Sequence, residues 1–229
     1  MPEELAVETI PALVKLKEAK LIRYIGISIY VLEKLVFLVE KCPEIDTIQT
    51  YCRLSLLDNS LRDLQPYFQA KGIGIISGSP LVMGLLTESG PPSWHSAPSN
   101  VRAASVQMAK YCKKKGEDIS SVAMRYAVGL GVAHTTLTGV RNRQDLRKNI
   151  ASVLGQDCSE TKYAKLLKRL NMISGAAQDG STKVNLNLPH NWICPMNHDL
   201  GGQSVVVFGE DSESEVDSPR FVPTAVPSL

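Results

Sequence analysis

The sequence predicts an α/β fold of about four βα units, a parallel sheet with too few strands to close an eight-stranded barrel. Three observations predict it. Strand-like apolar runs alternate with helical stripes, the pattern of βα units and a parallel sheet. Strand starts at 22, 45 and 73 recur at the spacing of two-layer units. The third run, Gly72-Ile-Gly-Ile-Ile-Ser-Gly-Ser-Pro80, passes directly from β-branched residues into a turn. Ile73, Ile75 and Ile76 suit a strand covered on both faces.

The elements follow in order. Ile10, Leu13, Leu16 and Ala19 mark one helical stripe over residues 8–20. Residues 22–28 read as the first strand and Val31 to Val39 as a helix that Pro43 closes. Residues 45–51 are the second strand, and Leu61, Leu64, Tyr67 and Phe68 the helix behind it. A Pro-rich loop, Glu88 to Pro98, separates the third strand from helices near 100–115 and after Asp118. His134 to Thr138 is the fourth strand, followed by helices over 143–153 and 160–170. The end strands, 22–28 and 134–138, would be bare parallel edges that invite pairing.

Composition narrows the class. The chain has 229 residues, 44% hydrophobic and 21% charged, an ordinary soluble balance. It contains no run of about eighteen apolar residues, so no membrane span is expected, and Met1 to Leu5 lacks the pattern of a secretory signal. Cys42, Cys52, Cys112, Cys158 and Cys194 are scattered and odd in number. That favours reduced thiols and a cytoplasmic protein over a disulfide framework. Residues 175–229 hold two basic and seven acidic residues, so the rest of the chain is basic. Its cations sit singly on helix faces, which favours solvated surfaces over a nucleic-acid stripe. The expected division is a domain over 1–171 and an acidic tail over 172–229, largely disordered, with Ser204 to Phe208 able to form one short strand. His190, Cys194 and His198 repeat at a spacing of four, too few ligands for a closed zinc site, and no metal centre is expected.

Two segments could hold phosphate. At Ser77 to Pro80, hydroxyls and backbone N–H groups suit an anion such as a pyrophosphate, although an ordinary βα turn would look the same. Thr135 to Asn149 is a strand, then Gly139, then a helix capped by Asn142, with Arg141 and Arg143 beside its positive end. The last two strands of a barrel are where phosphate sites sit, and here the candidates lie in successive units.

At these residues the chain resembles the aldo-keto reductase superfamily, in its L-galactose dehydrogenase branch. The resemblance rests on Glu8-Thr-Ile-Pro-Ala-Leu13, Arg23-Tyr-Ile-Gly-Ile-Ser28, Ser79 to Glu88 and the unusual string Gly90-Pro-Pro-Ser-Trp-His95. It covers roughly residues 5–154 and none of the tail. It implies the C-terminal half of a (β/α)8 TIM barrel that uses NAD(P) to interconvert carbonyls and alcohols of small aldoses or aldehydes. It further implies Gln49 as the nicotinamide-carboxamide ligand, Ser79 and Leu81 as pyrophosphate-loop positions, Gly139 and Arg141 as the adenosine-phosphate loop and Asn149 as an adenine contact. Gly78 stands where many relatives place a ring that stacks on nicotinamide. Trp94 and His95 could line a substrate pocket or only shape their loop.

Two departures from the family pattern stand out. Ser28 runs straight into Ile29-Tyr30, where relatives have a longer loop. The family's catalytic Asp, Tyr, Lys and His lie on its first four units, so no catalytic residue is assigned here. The chemistry needs them, because hydride transfer leaves charge on a carbonyl oxygen that a positioned acid must protonate. Two functions remain open: an oxidoreductase inactive on these residues alone, or a non-catalytic half-barrel. In the second, the open edges would be covered by a second copy or a complementary half-barrel.

Overall fold

The computed structural model describes residues 2–176 and the backbone of residues 203–209. The N-terminal helix forms in three pieces: a turn α1 (Pro2–Glu4), a π-helical segment (Leu5–Thr9) and α2 (Ile10–Glu18), with Pro11, which has no backbone N–H to donate, directly after the π-helical segment. Four parallel strands follow: β1 (Ile22–Ile29), β2 (Thr47–Tyr51), β3 (Gly74–Gly78) and β4 (Thr135–Leu137). Helices α3 (Leu32–Lys41) and α4 (Ser60–Ala70) connect the first three strands. Helices α5 (Ser99–Lys114) and α6 (Ile119–Gly129) lie between β3 and β4, and α7 (Arg143–Val153) and α8 (Glu160–Ala176) follow β4. The four predicted strands and the helices between them are therefore present, with α8 running five residues past the expected boundary at 171.

The sheet order is β4-β3-β2-β1-β5, where β5 (Gln203–Gly209) pairs antiparallel with β1 from Ile29 back to Ile22. The expectation of two bare edges is thus corrected. β1 has a tail strand on its outer side, which satisfies backbone groups that would otherwise be unpaired, whereas β4 ends the sheet. The other tail positions, including those expected to be disordered and His190, Cys194 and His198, lie outside the described residues.

The two sheet faces differ. Ile25, Ile27, Ile29, Ile48, Thr50, Ile75 and Ser77 are buried, and the isoleucines among them join Leu35, Leu38, Leu61 and Phe68 in one core. Residues of the opposite parity, among them Ser28, Thr47, Gln49, Tyr51 and Ile76, are only half-buried. The register Ser28↔Gln49↔Ile76↔Thr135 sets three of these residues and the exposed Thr135 in one row across the sheet. A parallel sheet normally has both faces covered; among the described residues only one is. A second core fills the ends of the strands, where Leu56, Leu57, Val82, Leu85 and Leu86 meet Met108, Val122 and Leu166 of α5, α6 and α8.

Candidate nucleotide groove

The turn after β3 is strained. Ser79, Val82 and Met83 have φ of 55°, 49° and 49°, and Gly84 has 99°. For a β-branched valine this left-handed conformation is a true outlier and marks a place where the surroundings over-determine the backbone. The turn is closed by bonds from the Val82 amide to the Ser79 carbonyl (2.9 Å) and from the Leu86 amide to the Leu81 carbonyl (3.1 Å). The Ser79 amide donates to the Leu137 carbonyl (3.2 Å), which ties the turn to the end of β4. A Cβ on Gly84 would lie 3.3 Å from the Gly90 carbonyl and from Pro91 Cα, which explains glycine there.

Across from this turn, α7 begins at a polar cap. Asn142 Oδ1 accepts from the Asp145 amide at 2.8 Å, as the sequence predicts. Arg141, almost fully exposed, donates from Nε to Asp145 Oδ2 at 3.0 Å, and this guanidinium holds the Asp145 carboxyl below the usual carboxylate range. Between the two segments runs an open groove of about 660 Å³. Leu81, Gly139, Arg141 and Asn149 all line it, so four of the six expected cofactor positions converge. Gln49 and Ser79 lie outside its lining. Gln49 stands on the half-buried face of β2 and Ser79 at the end of β3. Gly78, beside Ser79, packs against Tyr51, whose Cβ would stand 3.3 Å from an added Cβ.

Sequence reasoning missed the groove floor. Asp118 caps α6, accepting from the Ser120 amide (2.7 Å) and hydroxyl (2.6 Å), and it also pairs with Lys148 of α7. Burial opposes its ionisation, but the bonds from Lys148 and Ser120 outweigh burial and hold its pKa below the usual value. These partners are 30 residues apart in sequence, so no local motif announces them. The Asp-Ile-Ser sequence at Asp118, an N-cap aspartate just before a helical run, was the one visible signal.

Trp94 and His95 do not line the groove. Trp94 is half-exposed and stacks on His95, which is buried. His95 Nδ1 accepts from the Ala97 amide (3.1 Å), so Nε2 carries the proton and donates to the Val82 carbonyl (3.2 Å). Arg102 in turn binds the His95 and Ala97 carbonyls. The histidine therefore braces the strained turn, in line with the loop-shaping alternative. Burial, with a smaller push from Arg102, depresses its pKa below 6.5, only partly countered by the Val82 bond. The neutral ring's contribution to stability is fully present above pH 6.5 and is lost as pH falls through the lower folded value. The melting temperature should therefore drop on acidification from pH 7 to 5, and with a shallower slope in His95→Gln. Equal slopes in thermal melts would refute this role.

Four of the seven tyrosines are made weaker acids by their surroundings. Tyr30, Tyr67, Tyr126 and Tyr163 all have raised pKa values, with burial the largest cause in each; Tyr67 and Tyr163 are pushed up to about 12. Tyr67 bonds Glu40 (2.6 Å) and Tyr126 bonds Asn59 (2.7 Å), both structural attachments.

Residues 2–167 match the Aldo/keto reductase family. The chain belongs to this family. It is 39% identical over 153 residues to L-galactose dehydrogenase of Arabidopsis thaliana, covering 66% of this chain and 48% of that protein. It is 28% identical over 150 residues to D-arabinose 1-dehydrogenase of Saccharomyces cerevisiae, covering 61% and 45%. Among solved structures, the holo form of aldo-keto reductase AKR11C1 from Bacillus halodurans superposes with a TM-score of 0.55 at 21% identity, over 71% of this chain and 55% of that one. Glycerol dehydrogenase AKR11B4 from Gluconobacter oxydans gives 0.53 at 20% identity, over 78% and 57%. The chain thus spans about half the length of the relatives it matches, and the fold they share is the barrel of which its four-stranded parallel sheet forms a part. Among the described residues no helix is long and apolar enough to cross a membrane, and no cluster of three or more His, Cys, Asp or Glu could hold a metal.

Proposed function

We propose that this chain is the cofactor-binding half of an NAD(P)-dependent oxidoreductase of the L-galactose or aldose dehydrogenase kind, working in the cytoplasm. The observation that carries the reading is the groove where Leu81, Gly139, Arg141 and Asn149 meet at the start of α7. The groove fits a phosphate-bearing ligand: Arg141 lies beside the positive end of the eleven-residue helix α7, and Lys148, midway along that helix, lines the same groove. Each is neutralised at rest, Arg141 by Asp145 and Lys148 by Asp118. The Arg141–Asp145 pair is solvent-exposed, so Arg141 can exchange its carboxylate for a phosphate at little cost.

When bound, NAD(P) would supply or accept the hydride. In this reading Arg141 and the Gly139 turn orient the adenosine phosphate, Asn149 the adenine, Ser79 and Leu81 the pyrophosphate, and Gln49 the carboxamide on the open sheet face. His95 keeps the Val82 carbonyl in place so that the pyrophosphate turn stays formed. Proton delivery to the substrate carbonyl is not assigned to any residue of this chain; burial makes Tyr30, Tyr67, Tyr126 and Tyr163 weaker acids than free tyrosine. These 229 residues alone are therefore expected not to oxidise NAD(P)H with a simple aldose or aldehyde.

Fluorescence titration of the purified chain with NADPH and NADH tests the reading. Weak binding, above micromolar, is expected, weakened several-fold further by Arg141→Ala. No detectable binding, or titration curves identical in Arg141→Ala, would contradict the reading, and a sub-micromolar dissociation constant would contradict the expectation of weak binding. The second reading, a non-catalytic half-barrel that binds nucleotide or a partner chain, is favoured by the uncovered sheet face. Turnover above a blank would exclude it.

A further inference from the structure

At the opposite end of α7 from the nucleotide groove, a cleft of about 450 Å³ opens between the ends of α6 and α7 and the first half of α8. It is lined by Arg125 of α6, by Tyr163 and by the apolar residues Leu130, Val153, Leu154 and Leu167. The Arg125 guanidinium is held from several sides. Its Nη1 donates to the Cys158 carbonyl at 2.8 Å, and the cation lies 4.1 Å from the centre of the Tyr163 ring. Gly155, at φ 67°, leaves the space the guanidinium occupies: a Cβ there would stand 3.1 Å from Nη2. A cation this deep needs an anionic partner. Nη2 donates to Glu160 Oε1, but the Glu160 side chain is 84% exposed, against 10% for Arg125. The buried cation is thus the fixed member of the pair, and the carboxylate reaches it from solvent.

We propose that this cleft binds a small apolar monocarboxylate, whose carboxylate replaces that of Glu160 on Arg125 and whose hydrocarbon body lies along Leu130, Val153, Leu154 and Leu167. Glu160 shows the charge and shape that Arg125 accepts, since a guanidinium fork pairs best with a planar carboxylate. The exchange leaves no buried charge unpaired. Glu160 returns to water, where most of its side chain already stands, while Arg125 keeps its contacts with Cys158 and Tyr163. The receiving group is therefore in place before the ligand arrives. The apolar walls argue against inorganic phosphate or sulfate, which have no hydrocarbon surface to bury there. The volume falls within the usual range for small-molecule sites, about 300–1,000 Å³. The cleft shares no lining residue with the Arg141 groove, so this site stands whether or not that groove takes a nucleotide.

The test is calorimetric titration of the full chain at pH 7 with octanoate, with 1-octanol and sulfate as controls. Octanoate should bind at one site with a dissociation constant on the order of 0.1–1 mM, and neither control should match it. Glu160→Gln, which removes the internal competitor, should tighten octanoate binding by about two- to fivefold. Arg125→Lys, which keeps the charge but loses the fork, should weaken it by roughly tenfold. If the circular dichroism spectrum shows that Arg125→Lys disturbs the fold, Leu154→Glu takes its place. That residue is 63% exposed, so the substitution sets a like charge beside the ligand without opening the core, and weaker binding is again expected. No saturable binding, equal binding of octanol, equal binding of sulfate, or an affinity that Glu160→Gln leaves unchanged or lowers would each overturn the proposal.

Discussion

Asp58→Ala is expected to destabilise the chain by about 3–5 kcal/mol, the range for removing one partner of a buried ion pair. Asp58 is fully buried and its carboxylate accepts from Arg53 Nη1 at 2.8 Å, with Arg53 itself nearly buried. Its other oxygen takes the Ser60 amide (2.8 Å) and hydroxyl (2.6 Å) at the start of α4. The guanidinium lies 4.1 Å from the centre of the Tyr30 ring, a contact that needs the cation but does not neutralise it. Alanine would strip the charge partner and two accepted bonds together, leaving a guanidinium in a low-dielectric site. Domains of this size are stable by only about 5–15 kcal/mol, so much of the margin would go. Urea denaturation checks the size of the loss. The double variant Arg53→Met with Asp58→Asn should recover part of it, because no uncompensated charge remains. If the single variant melts within a degree or two of the native chain, the pair does not hold the loop.

Phe68→Ala should cost about 3–5 kcal/mol by the cavity it opens. Phe68 is fully buried among Ile48, Leu61, Ile73 and Ile75, and meets Tyr67 edge-on at 5.2 Å between ring centres. Its carbonyl also receives the Ile73 amide at 3.0 Å, which closes α4 and launches β3 toward the strained turn. The loss therefore falls on the strand that carries the groove. Phe68→Leu, which keeps most of the volume, should cost markedly less. Thermal melts of the two variants distinguish a cavity effect from a general intolerance, which would make them equal.

Much of the fold was readable in sequence because it rests on local pattern. Ile25, Ile27 and Ile29 alternate along β1, and the capping role of Asn142 needed only the following helix. The strand boundaries shifted by no more than two residues, as at β2, which begins at Thr47 rather than Ile45. That isoleucine is buried, but as part of the entry to the strand. The left-handed backbone at Val82 and Met83 was not legible, since nothing in a β-branched residue announces positive φ; tertiary bonds from His95 and within the turn impose it. The same holds for the pair Lys148–Asp118. The exposed stripe Leu146, Ile150, Val153 reads in sequence like any core-facing helix, and only the three-dimensional arrangement shows that no described residue covers it.

The buried cysteines give the two cores separate voices. Cys42 lies with Phe68 in the core behind the sheet, whereas Cys52, Cys112 and Cys158 lie in the core over the strand ends. Burial pushes the thiols of Cys42, Cys112 and Cys158 up, further from the reactive thiolate. A thiol reagent reaches these residues only when their own core opens. Loosening around Phe68 is thus recorded at Cys42, and loosening of the Arg53–Asp58 loop at its neighbour Cys52, so the order of chemical modification maps which layer of the molecule yields first.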